Sequence, residues 1–203
     1  MSKFSLKKYT LLNKIGFGAF GDVYKIQDNE TEVIYAAKIS NKIIDDLNDQ
    51  FKQNFEREVS IISKVHHPAI LKFIGISMTD FQQEKKPVIV TDFLSNGSLE
   101  DVLDLSRKGI SPEQWNDTLK LINIYGIASA MAFLHAHDII HRDLKPANIL
   151  LNDYLFPVIA DFGLSKDQNT EQSTVEIKGT PLYIAPEIWE DVVYSKEADV
   201  YSF

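Results

Sequence analysis

The sequence predicts an α+β protein of two lobes, with strands first and helices later. Three observations carry this: sheet-like alternation in the first third, a helical period from Asp46, and a long apolar-rich segment from Trp115. Tyr9 to Ile15, Asp22 to Gln27 and Val33 to Ser40 read as strands, with Asp28-Asn29-Glu30 as a hairpin turn. Between Asp46 and Val65 the residues Phe51, Phe55, Ile62 and Val65 fall on one helical stripe. His67-Pro68 ends that helix, because the residue before a proline is pushed out of helical geometry. Two further strands are expected at Ile70 to Met78 and Pro87 to Asp92. Ser95-Asn96-Gly97-Ser98 is loop chemistry and a natural lobe boundary. Trp115 to His135 reads as a long helix, followed by short strands and loops.

Composition bounds the functional classes. The chain has 203 residues, a net charge of −8 and 44% hydrophobic residues, enough for a sizeable core. It contains no cysteine, which excludes disulfides and thiolate metal sites and fits a reducing compartment. The acidic balance argues against nucleic acid as a partner. The N-terminus does not read as a secretory signal, and no stretch is expected to span a bilayer. An intracellular, cytoplasmic location is therefore expected. The sequons at Asn29, Asn96 and Asn116 are read as chance matches.

The richest segment is His141-Arg142-Asp143-Leu144-Lys145-Pro146-Ala147-Asn148, followed by Asp161-Phe162-Gly163. It sets an acid, a lysine and an amide on one short loop, then a second acid. Such a set suits a site that orients a hydroxyl, neutralises a phosphate and holds a divalent metal. Upstream, Gly16-Phe17-Gly18-Ala19-Phe20-Gly21-Asp22-Val23 lies between two predicted strands. Glycines there let backbone amides approach phosphate oxygens. A strand afterwards, rather than a helix, disfavours a dinucleotide-binding βαβ unit. Lys38 sits among apolar neighbours and needs a partner. Glu58 supplies one, because it falls inside the apolar helical stripe whereas Glu56 points away. His135, His137 and His141 are read as structural.

These motifs, in this order, resemble the eukaryotic protein kinase domain from about Tyr9 to Phe203. Ala185-Pro186-Glu187, Asp199-Val200-Tyr201-Ser202-Phe203 and His67-Pro68 strengthen the match. The resemblance implies a bilobal fold: an N-lobe at 9–92 with a five-stranded antiparallel sheet and one helix, a hinge at 93–97, and a mainly helical C-lobe at 98–203. It implies ATP and Mg2+ as cofactors and proteins as substrates. Asp143, Lys145, Asn148, Lys38 and Glu58 are then the catalytic set, with Asn148 and Asp161 on metal. ATP would be held by Ile15, Gly16, Phe17, Gly18, Ala19, Phe20 and Gly21 of the glycine-rich segment. Val23, Ala36 and Leu150 would sandwich the adenine, Thr91 would be the gatekeeper, and the backbone of Asp92 and Leu94 would bond the base edge. Phe73, Ile62, Phe162 and His141 would stack as a spine.

Lys145-Pro146 and Gly179-Thr180-Pro181 resemble the serine/threonine pattern. The run Val90 to Leu99 and the final Asp199 to Phe203 are similar to the tyrosine-kinase-like branch. The resemblance also implies control of the loop after Asp161 by phosphate. Arg142 and Lys166 would form its basic pocket, Thr170, Ser173 and Thr174 are candidate acceptors, and Glu176 would partly stand in for the phosphate. Thr180 is expected to contact the catalytic loop instead. Relative to the family the C-lobe is expected to be truncated, leaving Glu187 without its arginine and apolar faces uncovered. Two functions of different class follow: an ATP-dependent phosphotransferase in signal transduction, or a noncatalytic kinase-like ATP-binding or interaction module. Intact Lys38, Asp143 and Asp161 favour the first. Oligomeric state, physiological substrate and activator are not encoded in these motifs.

Overall fold

In a computed structural model the described residues are 4–18, 21–44, 49–167, 179–191 and 194–203. The chain forms two compact units, one from Met1–Ser63 with Lys72–Phe93, the other from Lys64–Leu71 with Leu94–Phe203. The first unit contains a five-stranded antiparallel sheet of β1 (Tyr9–Gly18), β2 (Gly21–Asp28), β3 (Ile34–Ser40), β4 (Phe73–Ser77) and β5 (Val88–Asp92). Its spatial order is β1-β2-β3-β5-β4. Helix α1 (Asp49–Ile62) joins it. The expected strands are all present, but the helix stops before His67-Pro68 rather than at it. Val65, expected on the helical stripe, is buried beyond the helix end.

Register explains why one face of this sheet is core. Ala37 pairs with Tyr24 on one side and Val90 on the other, and Ile26 pairs with Tyr35. Alternation sends these side chains to one face, where Leu6, Tyr9, Ile26, Ala37, Val88 and Val90 are buried together. Leu6 opens a short 3-10 turn over Leu6–Lys8, and Phe4 adds its ring, stacked 5.7 Å from that of Tyr9. A Cβ at Gly75 would lie 2.1 Å from the Phe4 ring, so the absent side chain is what admits it. The turn after β2 is fixed by Asp28, whose carboxylate accepts from the Glu30 and Thr31 amides at 3.0 and 3.1 Å.

The second unit is built on α2 (Leu99–Arg107) and α3 (Asp117–Ala136), with short strands β6 (Ile139–Ile140), β7 (Ile149–Leu151), β8 (Pro157–Ile159) and β9 (Lys166–Asp167). Helices α4 (Pro186–Asp191) and α5 (Lys196–Ser202) follow. Helices α2 and α4 were not read individually from the sequence, but they agree with the mainly helical C-lobe that the resemblance implies. Helix α2 starts at a reciprocal cap: the Ser98 amide donates to Asp101 Oδ2 at 2.8 Å, and Ser98 Oγ accepts from the Asp101 amide. Helix α3 begins after Asn116, whose Oδ1 accepts from the Leu119 amide, so Trp115 lies outside it and packs in the core. Contrary to the reading that no stretch is long enough, α3 could cross a membrane by length and composition alone. It buries Leu119, Ile127, Ala130, Met131 and Leu134 while exposing Leu121, Ile124 and Tyr125.

Gly75→Ala should lower the melting temperature, whereas adding it to Phe4→Ala should cost little, because one ring accounts for both effects. Thermal unfolding of the two single variants and the double variant checks this. The hydrogen bonds from Ser98 hold the Asp101 carboxyl below its usual range. That contribution is present above the unfolded-state pKa and disappears as pH falls through the depressed folded value. Asp101→Asn should therefore flatten the acid limb of a stability-versus-pH curve measured by urea midpoints.

Candidate active site: the Asp143 loop and the Lys38–Glu58 pair

In the first unit, antiparallel register sets Val23 opposite Lys38 and Ala36 opposite Thr91. Val23, Ala36, Lys38 and Thr91 thus share the face opposite the Leu6/Ile26/Val90 core. Lys38 Nζ lies 2.7 Å from Glu58 Oε1, and Glu58 is buried whereas Glu56 is exposed. Helical parity thus brought the correct one of two nearby acids to the lysine. Ile15, Gly16, Phe17 and Gly18 end β1, Phe17 with 87% of its surface exposed, and Gly21 and Val23 open β2. Ala19 and Phe20 lie outside the described residues. The glycines are not equivalent. A Cβ at Gly16 would make ordinary contact with Val23, but at Gly21 it would sit 2.0 Å from the Ile39 carbonyl oxygen. Gly21 is thus required by the pairing of β2 with β3.

Asp92 faces the sheet's other side, opposite Tyr35. Burial pushes its carboxyl above the usual range, partly opposed by Lys72. Its side chain therefore lies on the face opposite to that of Lys38.

In the second unit the segment around Asp143 is fixed from below by Asp199 of α5. Asp199 is buried, and its Oδ2 accepts from the His141 amide at 2.8 Å while Oδ1 accepts from the Arg142 amide at 2.9 Å. His135 Nε2 lies 2.9 Å from the same Oδ2. These bonds hold Arg142 at φ 68°, a left-handed conformation unusual for a side chain of its size. His141, fully buried, bonds the Ala160 carbonyl through Nε2 and packs edge-on against Phe162 at 5.3 Å. The structural reading of His135 and His141 fits this. His137 bonds the Phe133 carbonyl and stacks on that ring.

Four groups converge on the Asp143 carboxylate. Oδ1 accepts from the Thr180 amide at 3.0 Å and the Thr180 hydroxyl at 2.9 Å. Oδ2 accepts from Asn148 Nδ2 and faces Lys145 Nζ, both at 2.9 Å. Lys145 also donates to Thr180 Oγ1 at 2.5 Å. Thr180 is therefore a partner of the Asp143 loop, the contact expected of it from Gly179-Thr180-Pro181. Asp161 is exposed, also left-handed at φ 60°, and caps the turn Phe162–Leu164 through the Gly163 amide. Leu94 and Leu150 pack with Leu71, Val158 and Ala160.

The Arg142 Nε–H donates to the Leu164 carbonyl and its guanidinium lies over the Tyr194 ring. Lys166 contributes backbone to β9, paired with Ile140. Thr170, Ser173, Thr174 and Glu176 lie outside the described residues. Glu187 is exposed on α4. Sequence reading did not single out Tyr194 or the His135–Asp199 contact. The bond joins residues 64 positions apart, with no local spacing to announce it.

With this geometry in view, comparison with known proteins gives a consistent answer. The family described as "Protein kinase domain" matches residues 9–203. The chain belongs to that family. Myosin light chain kinase A of Dictyostelium discoideum is 36% identical over 97% of this chain and 63% of its own length. U-box domain-containing protein 70 of Oryza sativa subsp. japonica is 38% identical over 94% of the chain and 23% of its own. Serine/threonine-protein kinase 36 of Pongo abelii is 34% identical over 97% and 14%. The chain thus spans under two thirds of each of these relatives.

Asp199→Ala leaves two buried amides without an acceptor and should cost about 3 kcal/mol; urea denaturation measures it. Because the folded pKa of Asp92 is raised, the native state holds more protons between the ordinary and the raised value, and stability falls as pH rises through that window. Asp92→Asn should therefore be more stable than wild type at pH 7 and equal to it at low pH.

Proposed function

We propose that this chain is an ATP-dependent protein serine/threonine kinase domain of the tyrosine-kinase-like branch, acting in intracellular signalling. The observation that carries the reading is the buried Asp143 carboxylate, gathered with Lys145 and Asn148 of its own loop and with Thr180 from a later segment. The Thr180 hydroxyl makes at Oδ1 the kind of bond a substrate hydroxyl needs if its proton is to be drawn off. A carboxylate offers about four acceptor positions, and all four are taken. One must be vacated for substrate, and Lys145 is the partner that another anion can draw away. Its ammonium then offsets charge on the phosphoryl group, while Asp143 orients the incoming hydroxyl.

Lys38, paired with Glu58, is the cation for the α- and β-phosphates. Asp161 and the Asn148 side-chain oxygen are hard donors of the kind that suit magnesium. Among the described residues no cluster of three or more His, Cys, Asp or Glu can hold a metal. Asp161 and Asn148 are the residues that would hold a magnesium, which would supply positive charge against the phosphates. ATP supplies the phosphoryl group when bound; every other role above belongs to the chain. Serine/threonine preference rests on Lys145-Pro146 and on Thr180, and the names of relatives such as serine/threonine-protein kinase 36 agree with it. Glu176 is proposed to give the loop partial order, with one charge against about −1.5 to −2 for a phosphate.

Purified chain with magnesium and ATP should label a generic protein on serine and threonine, and Asp143→Asn should lower kcat by about 10²- to 10⁴-fold. Equal label in both would leave only a binding module, and label on tyrosine alone would overturn the branch assignment. Glu176→Ala should increase protease cleavage of the loop and lower activity; no change in either removes its proposed role.

A further inference from the structure

Arg142 is more tightly held than a cation waiting for a loop phosphate needs to be. Its surface is only 9% exposed, and its backbone is clamped in the left-handed region by Asp199. Gly179, which precedes the Asp143 partner Thr180, passes so close that a Cβ there would lie 2.8 Å from the Arg142 carbonyl oxygen. The Arg142 Nε–H is engaged by the Leu164 carbonyl, at the end of the turn that carries Phe162. The guanidinium carbon stands 5.2 Å from the centroid of the Tyr194 ring, inside the distance at which a cation is attracted by an aromatic face. Tyr194 itself packs against the Ile184, Ala185, Ile188 and Ala198 cluster and immediately precedes Ser195, the N-cap of α5. One helix start therefore grips Arg142 at both ends, the backbone through Asp199 and the side chain through Tyr194.

We propose that Tyr194 is a positioning residue: its ring face holds the Arg142 guanidinium, and through it the adjacent Asp143, without adding negative charge. This rests on the reading of Asp143 as the group that orients the substrate hydroxyl. A ring attracts a cation through its quadrupole, so phenylalanine should serve as well as tyrosine. Leucine fills much of the same apolar space but presents no such face.

The test compares wild type, Tyr194→Phe and Tyr194→Leu in steady-state phosphorylation of a generic protein, with Asp143→Asn alongside. The second readout is the Arg142 Nε–H signal in ¹⁵N NMR, identified by its loss in Arg142→Lys. Tyr194→Phe should stay within about twofold of wild-type kcat, and Tyr194→Leu should fall about tenfold at unchanged KM for ATP. The Arg142 signal should be shifted upfield by the ring and protected from exchange in wild type and Tyr194→Phe, and should lose both properties in Tyr194→Leu. Wild-type kcat in Tyr194→Leu overturns the proposal, as does equal loss in Tyr194→Phe and Tyr194→Leu. A wild-type Arg142 signal without the upfield shift also overturns it, whether or not either variant folds. Should wild type and Asp143→Asn be equally inactive, the kinase reading fails on its own, and the NMR comparison still decides the ring contact.

Discussion

The second unit depends on one buried carboxylate. Asp199 accepts from two consecutive backbone amides, His141 and Arg142, and meets the His135 ring. Two adjacent amides can reach one carboxylate only if the backbone turns sharply between them, and the left-handed Arg142 provides that turn. The bend lets the His141 ring pack against Phe162 while Asp143 meets Lys145, Asn148 and Thr180. Sequence neighbours thus acquire different tasks from a single backbone reversal. An acid with only apolar neighbours would be costly in such a place, but here each oxygen has a donor.

The first unit is ruled by parity. A strand has two faces, and residue order assigns one to the core and the other to the side that carries Lys38. Ala37, Val90 and Ile26 go with the Phe4–Leu6 segment, whereas Val23, Ala36, Lys38 and Thr91 go together on the reverse. A one-residue slip of β3 would bury Lys38 among aliphatic side chains and expose Ala37. Packing on one side therefore fixes the position of the ammonium on the other.

Much of this was legible in advance, for identifiable reasons. The strands announce themselves by alternation, and the Lys38–Glu58 pair by the single acid on an apolar helical stripe. The end of α1 was less legible: a proline at 68 marks where a helix cannot continue, not where it stops. Helix α2 went unseen because Ser98 suits a loop as well as a cap, and Asp101, three residues on, was the overlooked sign. Contacts of long sequence separation were the least visible. Thr180 was anticipated from its motif, but no pattern of spacing connects His135 to Asp199 or Arg142 to Tyr194.

The approach of Gly21 to the Ile39 carbonyl changes what its motif can testify to. Any descendant of this fold, whatever it binds, would still have to keep a glycine there, simply to let two strands hydrogen-bond. Retention at that site is a record of sheet architecture. Gly16, where a Cβ would meet Val23 only at ordinary contact distance, is under no such constraint.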